Sequence, residues 1–419
     1  RKVSRQMYTF GKEILLMKVR KEVKEAMKVL GIDRCRRGQL KPIGKILKGK
    51  DVLFIAPTGF GKSMVYQIPA VCWADRLTLV VEPLVALMHD QVKSLQSRGI
   101  RAAYLDSTQS AKEQEKVLHK VRQGSCSVLF VTPERLESHV FQKTVRKVDI
   151  ALLVVDECHC VLRWGASFRP AYQKIGAFAD GCSPRPVMLA MTATCPPEER
   201  EELLDALQMQ DAICVERSLY RSNLVFLKKR VQSREGAKQA LLRCLKKYGP
   251  QRALVFCTTI PCAKAAAEEL KKHYPGEVAL YCGKEKRDEG RILRGEARII
   301  VATSALSMGL DLPDVKLVVH LQMPLSMADY YQMAGRAGRN GETARSVLIC
   351  CDADYRTNRY LLQSTLEGDS LERALELLDE MKAFCDEDRA CMVQSLLGVL
   401  GEHVKRCRYC SNCQKEKRK

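Results

Sequence analysis

The octet Ala56-Pro57-Thr58-Gly59-Phe60-Gly61-Lys62-Ser63 constrains this chain more than any other stretch. An apolar run, Asp51-Val52-Leu53-Phe54-Ile55, leads into it, and Met64-Val65-Tyr66-Gln67, which suits a helix, follows. A strand, a glycine-bearing turn ending in Gly-Lys-Ser and then a helix is the layout of a phosphate-binding loop. Thr58, Gly59 and Gly61 would let successive backbone N–H groups turn inward around a polyphosphate. Lys62 would reach the β and γ phosphates, and the Ser63 hydroxyl would join a Mg²⁺ shell. Ala56 stands where the usual pattern has its first glycine, and Phe60 occupies the middle position, which tolerates a side chain if its φ stays negative.

Strands alternate with polar or helical segments from Asp51 to about Tyr220. Leu77–Val81, Cys126–Val131, Ile150–Val155 and Val187–Met191 are near-continuous apolar runs. Such runs suit strands buried on both faces, hence a parallel sheet flanked by helices, with function at the carboxyl ends of the strands. The polar residues fall there. Ile150–Val155 ends in Asp156-Glu157-Cys158-His159, an acidic pair placed to order Mg²⁺ (Asp156) and to deprotonate an attacking water (Glu157). Thr132 and Thr192-Ala193-Thr194 close two other runs, and Thr132 and Thr194 are candidates for contacts to nucleic-acid phosphates or for coupling two sites. Gln39, 17 residues before Ala56, carries an amide that matches the adenine edge of ATP as donor plus acceptor.

A second pattern of the same kind runs from about Asn223 to Leu366, with strands expected at 253–257, 277–281, 298–302 and 316–320. It has no phosphate loop. It carries instead Tyr330-Tyr331-Gln332-Met333-Ala334-Gly335-Arg336-Ala337-Gly338-Arg339, read as two arginines one helical turn apart that stabilise transition-state charge on the γ phosphate. The remaining tail differs in kind. Leu371, Ala374, Leu375, Leu378 and Met381 define a helical face, a second helix is expected over about 389–403, and Cys407-Arg408-Tyr409-Cys410-Ser411-Asn412-Cys413 follows. Cys407, Cys410 and Cys413 with Cys391 offer four soft ligands for tetrahedral Zn²⁺. Cys385 and His403 are the alternatives for the fourth position.

At 419 residues the chain is long enough for two or three domains. The net charge of +21 is uneven: residues 1–50 hold 16 Lys/Arg against 4 Asp/Glu, and residues 402–419 hold 7 against 2. A basic balance of this kind favours a polyanionic partner. No apolar run reaches membrane-spanning length, since Leu77–Met88 is broken by Glu82 and Pro83, and no membrane association is expected. The start is basic without the apolar core of a secretory signal. The 19 cysteines sit mostly singly in apolar contexts, which indicates a reducing, intracellular compartment without a disulfide framework.

Taken in order, these stretches resemble the RecQ family of superfamily 2 DNA helicases over residues 30 to 413. Gln39 fits the family's adenine-reading motif, with Arg36 retained beside it; 56–63 fits motif I, Asp156–His159 motif II, Thr192–Thr194 motif III, Ala302–Asp311 motif V and Gln332–Gly341 motif VI. Two features are more specific: Trp164-Gly165-Ala166-Ser167-Phe168-Arg169-Pro170-Ala171-Tyr172 resembles the family's aromatic-rich loop, and the cysteine tail resembles its zinc-binding subdomain. Ala166-Ser167 replaces a usual His-Asp, and Asn340 a usual Asp. The sequence stops soon after Cys413, ahead of where longer relatives carry winged-helix and HRDC domains.

The resemblance implies two tandem RecA-like α/β domains (30–221 and 222–366), preceded by a basic helical segment (1–29) and followed by a helical zinc-binding subdomain with a basic tail (367–419). It implies an ATP-dependent helicase that unwinds duplex DNA 3′–5′ in repair, recombination or replication. The alternatives are an RNA-dependent relative of the same superfamily and a DNA-binding scaffold with a weakly coupled ATPase. ATP, Mg²⁺ and Zn²⁺ are the implied cofactors, with Asp311 and Gln332 added to the nucleotide contacts. Single-stranded and forked DNA are the implied partners, with Trp164, Phe168 and Arg169 stacking on or holding the strand. A nuclear location is implied for a eukaryotic source and a cytoplasmic, nucleoid-associated one for a bacterial source.

Overall fold

A computed structural model describes residues 21–163, 170–248, 251–282, 288–304, 306, 312 and 314–416. The chain divides into two compact units, residues 1–217 and 218–419. The division falls just ahead of the boundary at residue 221 expected from the sequence, because Ser218, Leu219 and Arg221 are hydrogen-bonded to Glu402, Tyr331 and Gly335 of the second unit.

The first unit is built on a seven-stranded parallel sheet. Its strands are β1 (Val52–Ile55), β2 (Leu77–Val81), β3 (Ala102–Leu105), β4 (Val128–Val131), β5 (Ile150–Val155), β6 (Val187–Thr192) and β7 (Ile213–Glu216). Their order is β3-β4-β2-β5-β6-β1-β7, which sets β1 and β5 on either side of β6. β1, β2, β4 and β5 are buried along their whole length, in keeping with their apolar composition, which only Thr78 in β2 interrupts. β3 and β7, the edge strands, lie in shorter and more mixed stretches and were not legible as apolar runs. Residues 21–29 are helical, and Gly31, at φ +66°, closes that helix with its N–H on Lys28. The next helix, Leu40–Ile46, buries Ile43 and Ile46 and leaves Leu40 exposed.

The second unit repeats the plan with six parallel strands: β8 (Leu224–Val231), β9 (Ala253–Phe256), β10 (Val278–Tyr281), β11 (Ile299–Ala302), β12 (Leu317–His320) and β13 (Ala344–Cys351). Their order is β10-β11-β9-β12-β13-β8. β8 and β13 escape sequence reading because β8 alternates buried and half-exposed positions at the sheet edge, and β13 carries Arg345 and Ser346 near its start. The tail forms helices Gly368–Asp386, Met392–Val399 and Ser411–Glu416. It is fastened to β8 by Lys228, whose buried ammonium donates to the Phe384 carbonyl at 3.1 Å and to the Glu387 carbonyl, while its backbone N–H reaches Ser411 Oγ at 2.8 Å. All cysteines among the described residues are free thiols, and no described helix is long and apolar enough to cross a membrane.

Candidate active site

β1 delivers the chain into the phosphate-binding loop. Ala56 N–H continues the pairing with β6 by donating to Thr192 O at 3.1 Å, and the Ser63–Cys72 helix starts at the end of the loop. Gly59 and Gly61 take φ of +81° and +86°, values that L side chains rarely adopt. Phe60 is not among the residues with positive φ; its ring packs on Phe54 at 5.9 Å, and the Arg217 guanidinium covers it at 5.9 Å. Lys62 Nζ rests on Ala56 O at 3.4 Å, across the mouth of the loop.

Arg36 and Gln39 both come to this loop. Arg36 Nη1 donates to Gly59 O at 2.5 Å, and Gln39 Nε2 to Gly61 O at 2.9 Å. The other end of the Gln39 amide accepts from Arg36 N–H at 2.7 Å. The donor and acceptor expected to read adenine are thus engaged by the protein itself, so reading a base requires the amide to leave Gly61. The packing is close enough that a Cβ on Gly61 would lie 2.9 Å from Gln39 Nε2.

The acidic pair sits at the carboxyl end of β5. Asp156 is half-buried and its pKa is pushed up to about 6, by desolvation first and by the Glu157 charge second, while Lys62 pulls it down. Glu157 has φ +46°, a left-handed conformation costing a non-glycine residue about 1–3 kcal/mol. That turn directs its N–H onto Asp156 Oδ1 at 2.9 Å and brings Oε2 to 3.4 Å from His159 Nδ1. His159 Nδ1 also lies 2.9 Å from Thr192 Oγ1, which accepts from Thr194 N–H at 3.2 Å. A continuous path therefore joins the acid pair to the end of β6. Thr192 and Thr194 are fully buried, so Thr194 sits in this path and not on a surface open to a phosphate backbone; Thr132 is half-buried at the end of β4.

The chemistry of the donor set fits Mg²⁺. A carboxylate largely removed from water beside a second acid favours a compensating cation, and Ser63, the first residue of the helix that follows the loop, offers a hydroxyl oxygen.

In the second unit the Met327–Ala334 helix is capped by Ser326, whose Oγ accepts from Asp329 N–H at 3.0 Å. It ends before the arginines. Arg336 and Arg339 lie on a run of turns, not one helical turn apart as expected, because the backbone leaves the helix at Gly335 and Gly338 takes φ +63°. Gln332 and Arg336 are buried. Asp311 lies outside the described residues, as do Trp164, Phe168 and Arg169; Tyr172, at the end of the aromatic-rich stretch, is fully buried.

The sulfur atoms of Cys391, Cys407, Cys410 and Cys413 all lie within 4.8 Å of one another, the one such donor group among the described residues. Cys391 reaches the cluster as the N-cap of the Met392–Val399 helix. Cys385 and His403, the alternatives, stand outside it. Cys410 is held down at about 4, first by the hydrogen bond from Cys407 and then by backbone N–H groups, which gives the thiolate character a soft cation needs. Asn412 Nδ2 braces the surroundings on the carbonyls of Glu387 and Ala390, both at 2.9 Å. The four soft donors fit Zn²⁺.

Sequence reading missed several residues that hold this machinery: Arg217 over Phe60, and Arg221 and Asn223, which donate to the Gly338 carbonyl. A lone arginine or asparagine after a strand carries no periodic or motif signal.

Comparison with known families and proteins agrees with this geometry. Three family models match: DEAD/DEAH box helicase over residues 36–203, helicase conserved C-terminal domain over 236–341, and RecQ zinc-binding over 352–414. The chain is 33% identical to the ATP-dependent DNA helicase RecQ of Bacillus subtilis over 91% of its own length and 65% of that protein's. It is 34% identical to the RecQ helicase of Synechocystis over 79% of its length and 71% of that protein's. The chain thus spans about two thirds of the length of these curated relatives. The DNA-bound structure of the DUF1998 helicase MrfA shares the fold, with a TM-score of 0.68 at 20% identity over 87% of this chain and 56% of that one. With two parallel-sheet units, a phosphate loop facing an acidic pair and a four-cysteine cluster, this chain belongs to the RecQ family of ATP-dependent DNA helicases.

Proposed function

We propose that this protein hydrolyses ATP to move along single-stranded DNA and separate the strands of a duplex, forked DNA included, in the 3′–5′ direction. The observation that carries the reading is the apposition, within the first unit, of the phosphate loop on β1 and the Asp156–Glu157 pair on β5. Lys62 and the loop N–H groups hold the β and γ phosphates. Gln39 and Arg36 release their loop carbonyls as the base and sugar enter. Glu157 takes the proton of the attacking water, and His159 and Thr192 keep its carboxylate oriented. Ser63 and Asp156 would hold Mg²⁺, which supplies charge neutralisation at the β and γ oxygens. Arg336 and Arg339, with Gln332 and Asp311, would be the second unit's contacts to the nucleotide, an effect worth about 10³–10⁵ in rate where such arginines act.

Coupling to DNA follows from what adjoins the acid pair. The stretch from Trp164 to Arg169 begins a few residues after His159, so an aromatic ring stacked on a base is tied by the chain to the hydrolytic carboxylate. Thr132, half-buried at the end of β4, would meet the strand's phosphates, and the Thr192–Thr194 path links β6 to Glu157. Four cysteines holding Zn²⁺ keep the tail folded against β8.

The test is ATP turnover with no nucleic acid, with single-stranded DNA and with single-stranded RNA. Stimulation by DNA is expected. Stimulation by RNA alone would favour the RNA-dependent relatives, and DNA binding without any stimulation would identify a scaffold.

A further inference from the structure

The first residues of the second unit are held more closely than a connecting segment needs. Glu402, which follows the Met392–Val399 helix, accepts from Ser218 Oγ at 2.5 Å through one carboxylate oxygen and from Leu219 N–H at 2.6 Å through the other. The Leu219 carbonyl in turn accepts from the Tyr331 hydroxyl. The Tyr220 hydroxyl lies 3.1 Å from that of Tyr409, which stands between the cluster residues Cys407 and Cys410. One residue further, Arg221 spreads its guanidinium over the arginine turn, donating to Gly335 O at 2.9 Å and to Gly338 O. Asn223 Nδ2 donates to Gly338 O at 2.9 Å and Glu342 O at 2.8 Å. The wrap is tight: a Cβ on Gly338 would lie 2.7 Å from Asn223 Nδ2 and 2.8 Å from the Glu342 carbonyl.

We infer that Ser218–Asn223 is a positioning tether for Arg336 and Arg339, set from the zinc-binding region by Glu402. Gly335 precedes Arg336 and Gly338 precedes Arg339, so fixing both carbonyls fixes the peptide planes from which the two side chains depart. A guanidinium with two carbonyl acceptors fixes them as a fork. Arg221 holds its place only if the backbone on its N-terminal side is also fixed, and there the Glu402 carboxylate supplies two short, charge-assisted bonds. Glu402 therefore acts on the arginine turn without touching it.

This inference rests on the reading that Arg336 and Arg339 complete the ATP site, and the test separates the two. Single-turnover hydrolysis and the half-saturating ATP concentration are measured for Glu402→Ala, Glu402→Gln, Arg336→Ala and the Glu402→Ala/Arg336→Ala double variant, with zinc content alongside. Glu402→Ala is expected to slow hydrolysis at saturating ATP by about 2- to 30-fold, the range of coupling carried through packed networks. Zinc content and half-saturation should hold. Glu402→Gln, which keeps an acceptor oxygen, should recover part of the rate. In the Arg336→Ala background Glu402→Ala should cost little more, since groups acting through one another are not additive.

An undiminished rate in Glu402→Ala with Arg336→Ala impaired would overturn the tether alone. Equal fold losses in both backgrounds would do the same and leave Glu402 a stability residue. A wild-type rate in Arg336→Ala would overturn the arginine reading and the tether with it. If Glu402→Ala loses zinc, the same cycle run with Glu402→Gln decides.

Discussion

At the residue scale, Glu157 shows how a local cost accompanies chemistry. Its φ of +46° is unfavourable for any side chain, yet it is this turn that points the N–H at Asp156 and the carboxylate toward His159. The strain and the function are separable by substitution. Glu157→Ala removes the base but keeps a Cβ in the left-handed region, whereas Glu157→Gly removes both. Both variants should lose ATP turnover, and in urea the glycine variant should be the more stable by about 1 kcal/mol. Equal midpoints would mean that the conformation carries no strain. His320 presents a second residue-scale cost. It is fully buried, with its ring 5.6 Å from that of Phe256 and 4.7 Å from that of Tyr330, and burial takes its pKa from 6.5 down to about 3. The folded form therefore resists a proton that the unfolded chain accepts below 6.5. The neutral ring's contribution is complete above that pH and is lost as pH falls toward 3, at up to about 1.4 kcal/mol per pH unit. Asp354, raised to about 6 mainly by burial, acts in the opposite sense over the lower part of that window. The difference between the protein and His320→Phe isolates the histidine: the variant should lose less stability between pH 7 and 5.

At the scale of elements, legibility in the sequence followed burial. Strands β2 and β5, near-continuous apolar runs covered on both faces, were readable to the residue, and so were the acid pair at the end of β5 and the loop at the end of β1. β7 and β8 lie at sheet edges, where half the side chains meet water and the apolar run breaks up. The motif VI arginines were read as a helix because the apolar spacing of Tyr330, Tyr331 and Met333 carries on toward them; Gly335 and Gly338 end it. Gln39 was visible as a residue near the loop, but its bond to Gly61 was not, because that contact depends on the turn at Arg36. The cysteine cluster was legible: Cys407, Cys410 and Cys413 from their spacing, and Cys391 as the expected fourth member, chosen over Cys385 and His403 by the helix it caps. Four thiolates on one ion would tie Cys391 to the 407–413 stretch, so Cys410→Ser should release zinc and lower the thermal midpoint of the tail. Unchanged zinc by elemental analysis would remove Cys410 from the ligand set.

For the molecule as a whole, the two sheets divide the labour. The first carries the phosphate loop, the acid pair and the path through His159 and Thr192. The second has no phosphate loop of its own and carries the arginine turn and the cysteine cluster. The chain between them is fastened at both ends, by Arg217 over Phe60 and by Arg221 on the Gly335 carbonyl. The basic balance of +21 suits a polyanionic partner. If ATP hydrolysis at Lys62 and Glu157 drives strand separation, it is read in the displacement of a labelled strand from a duplex with a 3′ single-stranded tail, with ATP and Mg²⁺, for the protein and for Lys62→Ala. Displacement by the protein, none from the 5′-tailed duplex, and a loss of about 100-fold or more in Lys62→Ala are expected, as when a preorganised charge on the reacting phosphates is removed, with DNA binding retained. Displacement by Lys62→Ala at the unmodified rate, or none by the protein on either duplex while it turns over ATP, would contradict hydrolysis-driven strand separation.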